Sequence, residues 1–163
     1  MKFQGIAHVF GDDVNTDYII AGKYRSKTIS EMAQHLMEDL QPGFIDTVNK
    51  GDLIVAGFDF GSGSSREYAP RVIKEAGISG VVAKSFSRIF YRNAINTGLP
   101  VVEINTDGIE TGDELSVDLE RGIVVNKTKD WTRSFLPLPK VMMQILLDGG
   151  LVENLRKNKG FSI

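Results

Sequence analysis

The 163-residue sequence contains no cysteine. This absence excludes disulfide bonds, a thiolate nucleophile and any cysteine-ligated metal or iron–sulfur cluster held by this chain alone. Histidine is nearly as scarce, since only His8 and His35 occur, and they lie too far apart in the sequence to match a ligand spacing. We therefore predict that the chain binds no metal by itself.

The sequence also lacks a strong excess of charge and a long apolar run. Its formal net charge is −2, so bulk electrostatics indicate neither a nucleic acid nor an anionic membrane surface as a partner. No run of about 18 apolar residues is present to span a bilayer, and the first residues do not have the pattern of a secretory signal peptide. We expect a cytoplasmic protein.

Apolar strands alternate with amphipathic helices through the first two thirds of the chain. Strands are predicted at residues 2–10, 53–56, 80–83 and 101–104, with helices between them. This order is typical of βαβ units and of an α/β fold with parallel pairing. The final third predicts a hairpin, one more strand and a helix, at residues 115–125, 131–136 and 141–147, before a basic, exposed tail at 154–160. The length suits a single domain, spanning residues 1–163.

The first predicted helix has a clear start signal. Thr28 and Glu31 have the spacing of a capping box. The helix that they open would place one apolar face toward the core, formed by Met32, Ala33, Leu36, Met37 and Leu40.

Residues 57–67 form the stretch with the strongest functional signal. A buried strand runs into a loop with three glycines, Gly57, Gly61 and Gly63, and the triplet Ser64-Ser65-Arg66 follows, where we predict that a helix begins. Glycines allow close approach to the backbone, a helix N-terminus attracts anions, and arginine offers a planar fork of donors to a carboxylate or phosphate. The stretch therefore predicts an anion-binding site.

Other interpretations of this stretch remain open from the residues alone. Ser64 or Ser65 could be an ordinary helix cap, with Arg66 exposed to solvent. A nucleotide site fits poorly, because the P-loop lysine is missing and Arg66 stands where a dinucleotide fingerprint requires its third glycine.

Residues 61–67 resemble the Gly-x-Gly-Ser-Ser-Arg-Glu signature of the aconitase superfamily, and more closely that of the small subunits of 3-isopropylmalate dehydratase and homoaconitase. Residues 11–17 and 84–96 are also similar to segments of that family, in the same order and spacing. The resemblance implies a swivelling β/β/α domain, in which a barrel-like mixed sheet is flanked by helices.

The resemblance further implies a hydro-lyase subunit that is inactive without a large subunit. That partner is expected to carry a [4Fe–4S] cluster, and the substrate to be a small hydroxy-di- or tricarboxylate. The 3-isopropylmalate dehydratase of leucine biosynthesis is preferred as the commoner subfamily. Homoaconitase and 2,3-dimethylmalate dehydratase stay open, as does a function of another class, a non-catalytic module that binds small anions.

Individual roles follow from the resemblance as well. Ser64 is the expected base, acting as an alkoxide, and Asp17 is the expected second catalytic residue, orienting polar groups nearby. The expected substrate-binding residues are Arg66, Ser65, Arg25 and Tyr24, and the supporting residues are Gly61, Gly63, Ser87 and Arg88. Because serine is a weak base near neutral pH, its role requires a strongly stabilised anion, which a helix start, Ser65 and Arg66 would supply.

Two positions depart from the pattern of many relatives. Ser62 stands where they have cysteine, and Tyr68 stands where they have histidine. Neither is expected to be catalytic. In the loop at residues 21–28, Tyr24 would suit an isopropyl group, whereas Arg25, Lys23 or Lys27 would suit an additional carboxylate.

Overall fold

A mixed sheet of seven strands forms the centre of the fold. The computed structural model describes residues 1–160. The spatial order of the strands is β4-β3-β2-β1-β5-β6-β7. Their bounds are β1 (Lys2–Val9), β2 (Leu53–Ala56), β3 (Gly80–Ala83), β4 (Val101–Glu103), β5 (Glu114–Asp118), β6 (Ile123–Asn126) and β7 (Trp131–Ser134).

The sheet has a parallel half and an antiparallel half, which meet at β1. The second part of β1 pairs in parallel with β2, from Ala7 opposite Leu53, and its first part pairs antiparallel with β5, from Lys2 opposite Asp118. Strands β2 and β3 are buried along their whole length, as expected for parallel strands covered on both faces. The sheet curls into a half barrel flanked by helices, which confirms the predicted fold class.

Within residues 1–160, seven helices and one short 3₁₀ turn accompany the strands, and the last two helices follow β7. The turn covers Gly22–Tyr24, and the helices are α1 (Thr16–Ile19), α2 (Ile29–Ala33), α3 (Phe44–Thr47), α4 (Tyr68–Glu75), α5 (Arg88–Thr97), α6 (Lys140–Leu147) and α7 (Leu151–Asn158). The longest of them has ten residues, and no helix within residues 1–160 is long and apolar enough to cross a membrane.

The helix predicted after Thr28 is shorter than its apolar pattern indicates. The capping box of Thr28 and Glu31 is confirmed, but α2 ends at Ala33 and turns follow as far as residue 40. Met37 adopts a left-handed backbone and donates its N–H to the carbonyl of Ile19, so a tertiary hydrogen bond replaces the helical one. Four of the five predicted core residues are buried, whereas Leu40 is 40% exposed and was wrongly included.

The chain after residue 147 contains a helix that the sequence did not predict. Helix α7 follows Gly150, whose missing side chain allows close contact with the carbonyl of Asn96. The predicted basic tail at residues 154–160 forms most of this helix and is largely exposed. The predicted single domain runs to residue 163, and residues 161–163 lie outside the part that the structure describes.

Candidate active site

Three loops meet at the carboxyl edge of the parallel strands. They follow β1, β2 and β3, and main-chain hydrogen bonds join them, from the N–H of Gly57 to Gly11 (3.1 Å) and from that of Lys84 to Gly57 (3.0 Å). Ligands of open α/β sheets bind at this edge. The loop with the strongest sequence signal therefore lies where the fold is suited to hold a ligand.

Gly61 anchors the glycine-rich loop on a cluster of aromatic rings. Its φ is +80°, and a side chain there would place Cβ only 2.1 Å from the ring of Phe90, so glycine is required by both backbone and space. Its N–H donates to Val14 (2.7 Å), and its carbonyl accepts from the hydroxyl of Ser87 (2.8 Å). Ser87 also caps α5. These contacts fix the backbone just before the serines.

The helix predicted to begin at Ser64-Ser65-Arg66 begins later. Helix α4 starts at Tyr68, and Glu67 occupies the cap position without a side-chain hydrogen bond. Pro70 explains the shift, because a proline without an N–H is best accommodated in the first turn of a helix. Ser64 and Ser65 are therefore loop residues, and the interpretation of either as a helix cap is wrong.

Ser64 is exposed, and its hydroxyl contacts a buried threonine. Ser64 Oγ lies 3.1 Å from Thr16 Oγ1, and the N–H of Ser64 donates to the same Thr16 oxygen (3.3 Å). Thr16 is 2% exposed and donates its own N–H to Ser62 (2.8 Å). Sequence reasoning did not single out Thr16, and the only signal was its place beside Asp17 in the segment 11–17.

Arg66 and Asp17 form an ion pair beside Ser64. The Asn15 side chain caps α1 by accepting from the N–H groups of Asp17 (2.9 Å) and Tyr18 (3.0 Å), which fixes the start of the helix that carries Asp17. The side chain of Asp17 is 63% exposed and that of Arg66 is 28% exposed. The pair therefore orients Arg66 while leaving it accessible to a ligand.

The backbone beside Ser64 adds donors to this surface. Among residues 1–160, the main-chain N–H groups of Ser65, Arg66 and Glu67 donate to no protein acceptor. Consecutive unpaired N–H groups are suited to bind an anion. Gly63, with φ of +100°, allows the turn that presents them.

The remaining predicted residues differ in their exposure and in their contacts. The carbonyl of Ser65 is 3.4 Å from Asn93 Nδ2 of α5, and Arg88 is exposed at the start of that helix. Arg25 is exposed, whereas the hydroxyl of Tyr24 donates to Glu38. The contacts described within residues 1–160 do not join Arg25 to Ser64 or Arg66.

No ligand set for a metal is found in the described part of the chain. Residues 1–160 contain no group of three or more histidine, cysteine, aspartate or glutamate side chains that could hold an ion. His8 is buried against Asp52 (2.9 Å), and the bond from His8 together with main-chain N–H groups holds the pKa of the Asp52 carboxyl below its usual range against the effect of burial. His35 contacts Glu38 (2.7 Å). Both histidines thus make contacts within the fold.

Comparisons with known proteins point to one family. The model of the aconitase C-terminal domain family matches residues 15–107, more than half of the sequence. A 3-isopropylmalate dehydratase small subunit from Archaeoglobus fulgidus is 52% identical over 165 aligned residues that cover 100% of both chains. One from Thermotoga maritima is 50% identical over 155 residues, 93% of each chain.

A solved structure shares both the fold and the sequence pattern. The crystal structure of 3-isopropylmalate dehydratase from Methanocaldococcus jannaschii is 48% identical and covers 98% of this chain and 96% of its own, with a TM-score of 0.93. The chain therefore belongs to the aconitase C-terminal domain family and, within it, to the small subunits of 3-isopropylmalate dehydratase.

Proposed function

We propose that this chain is the small subunit of a 3-isopropylmalate dehydratase, which interconverts 2- and 3-isopropylmalate by removing water and adding it back. One observation carries the proposal. Asp17 on α1 meets the loop residues Ser64 and Arg66, which come much later in the chain, on one surface at the carboxyl edge of the parallel strands. Relatives that are about 50% identical over at least 93% of this chain are named as small subunits of 3-isopropylmalate dehydratase, and these names support the choice of reaction and substrate.

The openness of this surface supports a site that is completed by a second subunit. Ser64, Ser65 and Asp17 are all exposed, whereas proton abstraction from carbon benefits from a site that excludes water. The chain has no cysteine, so the thiolates for a [4Fe–4S] cluster would come from the large subunit. When bound there, the cluster would supply a Lewis acid that helps hydroxide leave.

Ser64 would take the proton from the carbon next to a substrate carboxylate. Its side-chain oxygen must therefore be an alkoxide before the transfer, which returns it to a neutral hydroxyl, and hydrogen bonds to the oxygen would stabilise the alkoxide. Since Thr16 Oγ1 already accepts from the N–H of Ser64, its own proton can point to Ser64 Oγ, 3.1 Å away. The unpaired N–H groups beside Ser64 and the positive charge of Arg66 would further stabilise the negative charge on the Ser64 oxygen. The helix dipole contributes less than predicted, because α4 begins at Tyr68.

Arg66 would hold the carboxylate that gains charge as the proton leaves. A guanidinium offers five N–H donors, and the ion pair with Asp17 uses one nitrogen, so donors remain for a bidentate contact. Interactions that strengthen as charge develops lower the barrier of the chemical step. Asp17 would thus act by orienting Arg66 and keeping its open edge toward Ser64.

The substitution Ser64→Ala tests the proposed chemistry in the enzyme reconstituted with its large subunit. We expect kcat to fall by about 100- to 10,000-fold, the usual contribution of a general base. Folding and assembly should not change, because the Ser64 side chain is exposed. Ser62→Ala is the matched control, since it removes a hydroxyl from the same loop, and it should retain wild-type turnover. Thermal unfolding and size-exclusion chromatography would accompany the kinetics.

Three outcomes would contradict the proposal at different levels. Normal turnover in Ser64→Ala would exclude Ser64 as the base while leaving the reaction intact. A wild-type complex that does not dehydrate 3-isopropylmalate but acts on homocitrate or 2,3-dimethylmalate would change the substrate. An anion-binding module would be favoured if no large subunit associated and Ser64→Ala left anion binding unchanged.

A further inference from the structure

Four side chains hold the loop that follows α1, and the proposed reaction gives none of them a role, although Tyr24 was expected to bind the substrate. We call Lys23, Tyr24, His35 and Glu38 the Glu38 cluster. The Tyr24 hydroxyl donates to Glu38 Oε1 (2.5 Å), and Lys23 Nζ lies 3.4 Å from the same oxygen. His35 Nδ1 lies 2.7 Å from the other oxygen, Oε2. One carboxylate therefore ties the 3₁₀ turn Gly22–Tyr24 to the segment after α2.

The cluster fixes Tyr24 in both position and plane. Its ring stacks on the ring of His35, with centroids 3.9 Å apart and an interplanar angle of 10°. Arg25 follows Tyr24 directly and donates its N–H to Gly22 (3.2 Å). The course of the backbone at Arg25 therefore depends on the position of Tyr24. The side chain of Arg25 is exposed at the end of a turn that is held by the contacts of Tyr24 with Glu38 and His35.

The same turn touches the predicted carboxylate ligand. A Cβ added at Gly22 would lie 3.4 Å from both terminal nitrogens of Arg66, so the guanidinium packs directly on the start of the turn. Asp17 pairs with one of those nitrogens. The turn thus contacts Arg66 at its first residue and Glu38 at its last.

We propose that Glu38 is a positioning residue, which through the turn Gly22–Tyr24 sets the place of Arg25 and the packing of Arg66, and thereby the choice among hydroxy-acid substrates. The inference rests on the proposed function, because it takes Arg66 as a ligand of the substrate carboxylate. Tyr24 then acts by holding the turn, with its hydroxyl directed to Glu38.

The charge states of the cluster keep this arrangement stable near neutral pH. The hydrogen bond from Tyr24 lowers the pKa of the Glu38 carboxyl below its usual range, and that bond to Glu38 raises the pKa of the Tyr24 phenol. Lys23 and His35 are the other charged or titratable groups in contact with the carboxylate. A carboxylate facing a protonated phenol is therefore the expected state near neutral pH.

The test compares Glu38→Ala and Tyr24→Phe with the control Asp39→Ala, which removes the neighbouring exposed carboxylate. On the isolated chain, amide hydrogen exchange would be followed for the peptide 21–28. On the complex with the large subunit, kcat and KM would be measured for 3-isopropylmalate and 2,3-dimethylmalate. Tyr24→Phe removes only the hydroxyl and keeps the stacked ring, so it tests the hydrogen bond separately from packing.

We expect faster exchange in peptide 21–28 for both cluster variants and not for the control. The KM for 3-isopropylmalate should rise about 2- to 10-fold, the effect of losing one hydrogen bond, while kcat changes little. The ratio of kcat/KM between the two substrates should also change. A purely structural role would lower the unfolding temperature without changing KM or this ratio.

Each contrary outcome has a separate meaning. Unchanged exchange in Glu38→Ala would refute the restraint on the turn, whether or not the enzyme is active. Faster exchange with unchanged KM and substrate ratio would refute the positioning role. A wild-type complex that is inactive on every hydroxy acid would overturn the proposed function, and with it the effect on substrate choice, while exchange would still decide whether Glu38 holds the turn.

Discussion

At the scale of single residues, the proposed chemistry depends on the side-chain oxygen of Ser64, which must carry a negative charge as an alkoxide. Ser64 is exposed, yet it contacts Thr16, which is almost completely buried and accepts the N–H of Ser64. A donor held at 3.1 Å by the fold stabilises an anion without reorganising when the charge appears. We infer that Thr16 is a positioning residue for Ser64.

Thr16→Val tests this role, because valine keeps the shape of the side chain and removes the hydroxyl. A hydrogen bond to a charged group contributes about 1.5–3 kcal/mol, so kcat should fall by about 10- to 100-fold. The pH profile of kcat should move to higher pH, since the alkoxide becomes harder to form. Steady-state kinetics as a function of pH provide the measurement.

Thr16→Ser is the control that separates chemistry from folding. It restores the hydroxyl, and we expect most of the activity to return. Loss of activity in both variants, with no change of the pH profile, would mean that Thr16 acts only through packing.

The sequence identified the segments that form the candidate site, but it did not identify the contacts between them. The segments around Asp17 and Ser64 were identified from their residue types and their resemblance to a family. Thr16 was missed because a buried threonine has no local sequence signal, and its contact with Ser64 spans 48 positions. Arg25 and Tyr24 were placed in one substrate-binding group, but the hydrogen bond of Tyr24 to Glu38 distinguishes them.

At the scale of elements, the serine loop is shaped by the aromatic cluster beneath it. The ring of Phe90, on α5, packs against that of Phe60 in the loop (5.2 Å between centroids) and occupies the space beside Gly61. Strand β2, the glycine-rich loop and α5 therefore together fix the position of the serines that follow Gly61. The glycine-rich loop is therefore anchored at Gly61 on a packed aromatic platform.

Gly61→Ala should disrupt this platform. The left-handed backbone and the collision with Phe90 together predict a loss of more than about 2 kcal/mol in the free energy of unfolding. Gly11→Ala is the matched control, because no atom lies within 4 Å of its added Cβ, and it should change stability by less than about 1 kcal/mol. Denaturant titration followed by circular dichroism would compare them. Equal stability of the two variants would contradict the account of the loop.

The junction of α6 and α7 offers a prediction on pH. Asp148 accepts from Lys157 (2.6 Å), Gln144 (3.1 Å) and Asn154 (2.7 Å), and these contacts lower the pKa of its carboxyl to about 2. An unfolded aspartate titrates at about 3.9, so the stabilisation is complete above that pH and is lost as the pH falls toward 2.

Asp148→Asn should therefore lower the unfolding temperature at pH 7, and the difference from the wild type should shrink below about pH 4. Glu153→Gln, which removes an exposed pair with Arg156, is the control and should change little. A difference that stays constant from pH 7 to pH 2 would show that the charge of Asp148 does not stabilise the junction.

Element positions were predictable to the extent that local patterns determine them. The buried strands β2 and β3 have the bounds that their apolar runs predict. The errors share a cause, because the early end of α2 depends on a hydrogen bond between Met37 and Ile19. Helix α7 was missed because none of its residues is buried, so it has no clear apolar stripe in the sequence. It is positioned by contacts with α5 and α6, which a local pattern does not reveal.

At the scale of the whole molecule, the fold presents an open surface that we propose to be half of a reaction site. The parallel half of the sheet brings the loops after β1, β2 and β3 to one edge, and the side chains there remain exposed. In the proposed enzyme, this chain contributes the base and a carboxylate ligand, and the large subunit contributes the cluster and the cover. The relatives' name, small subunit, is consistent with a second subunit as partner.

The most direct test is the dehydration of 3-isopropylmalate, followed by ultraviolet absorbance under anaerobic conditions, with this chain alone, the cluster-bearing large subunit alone, and their mixture. We expect turnover only in the mixture, and a slower reaction with homocitrate and 2,3-dimethylmalate. No turnover of any substrate by the mixture, with the cluster intact, would contradict the account. Full activity of the large subunit without this chain would contradict it as well.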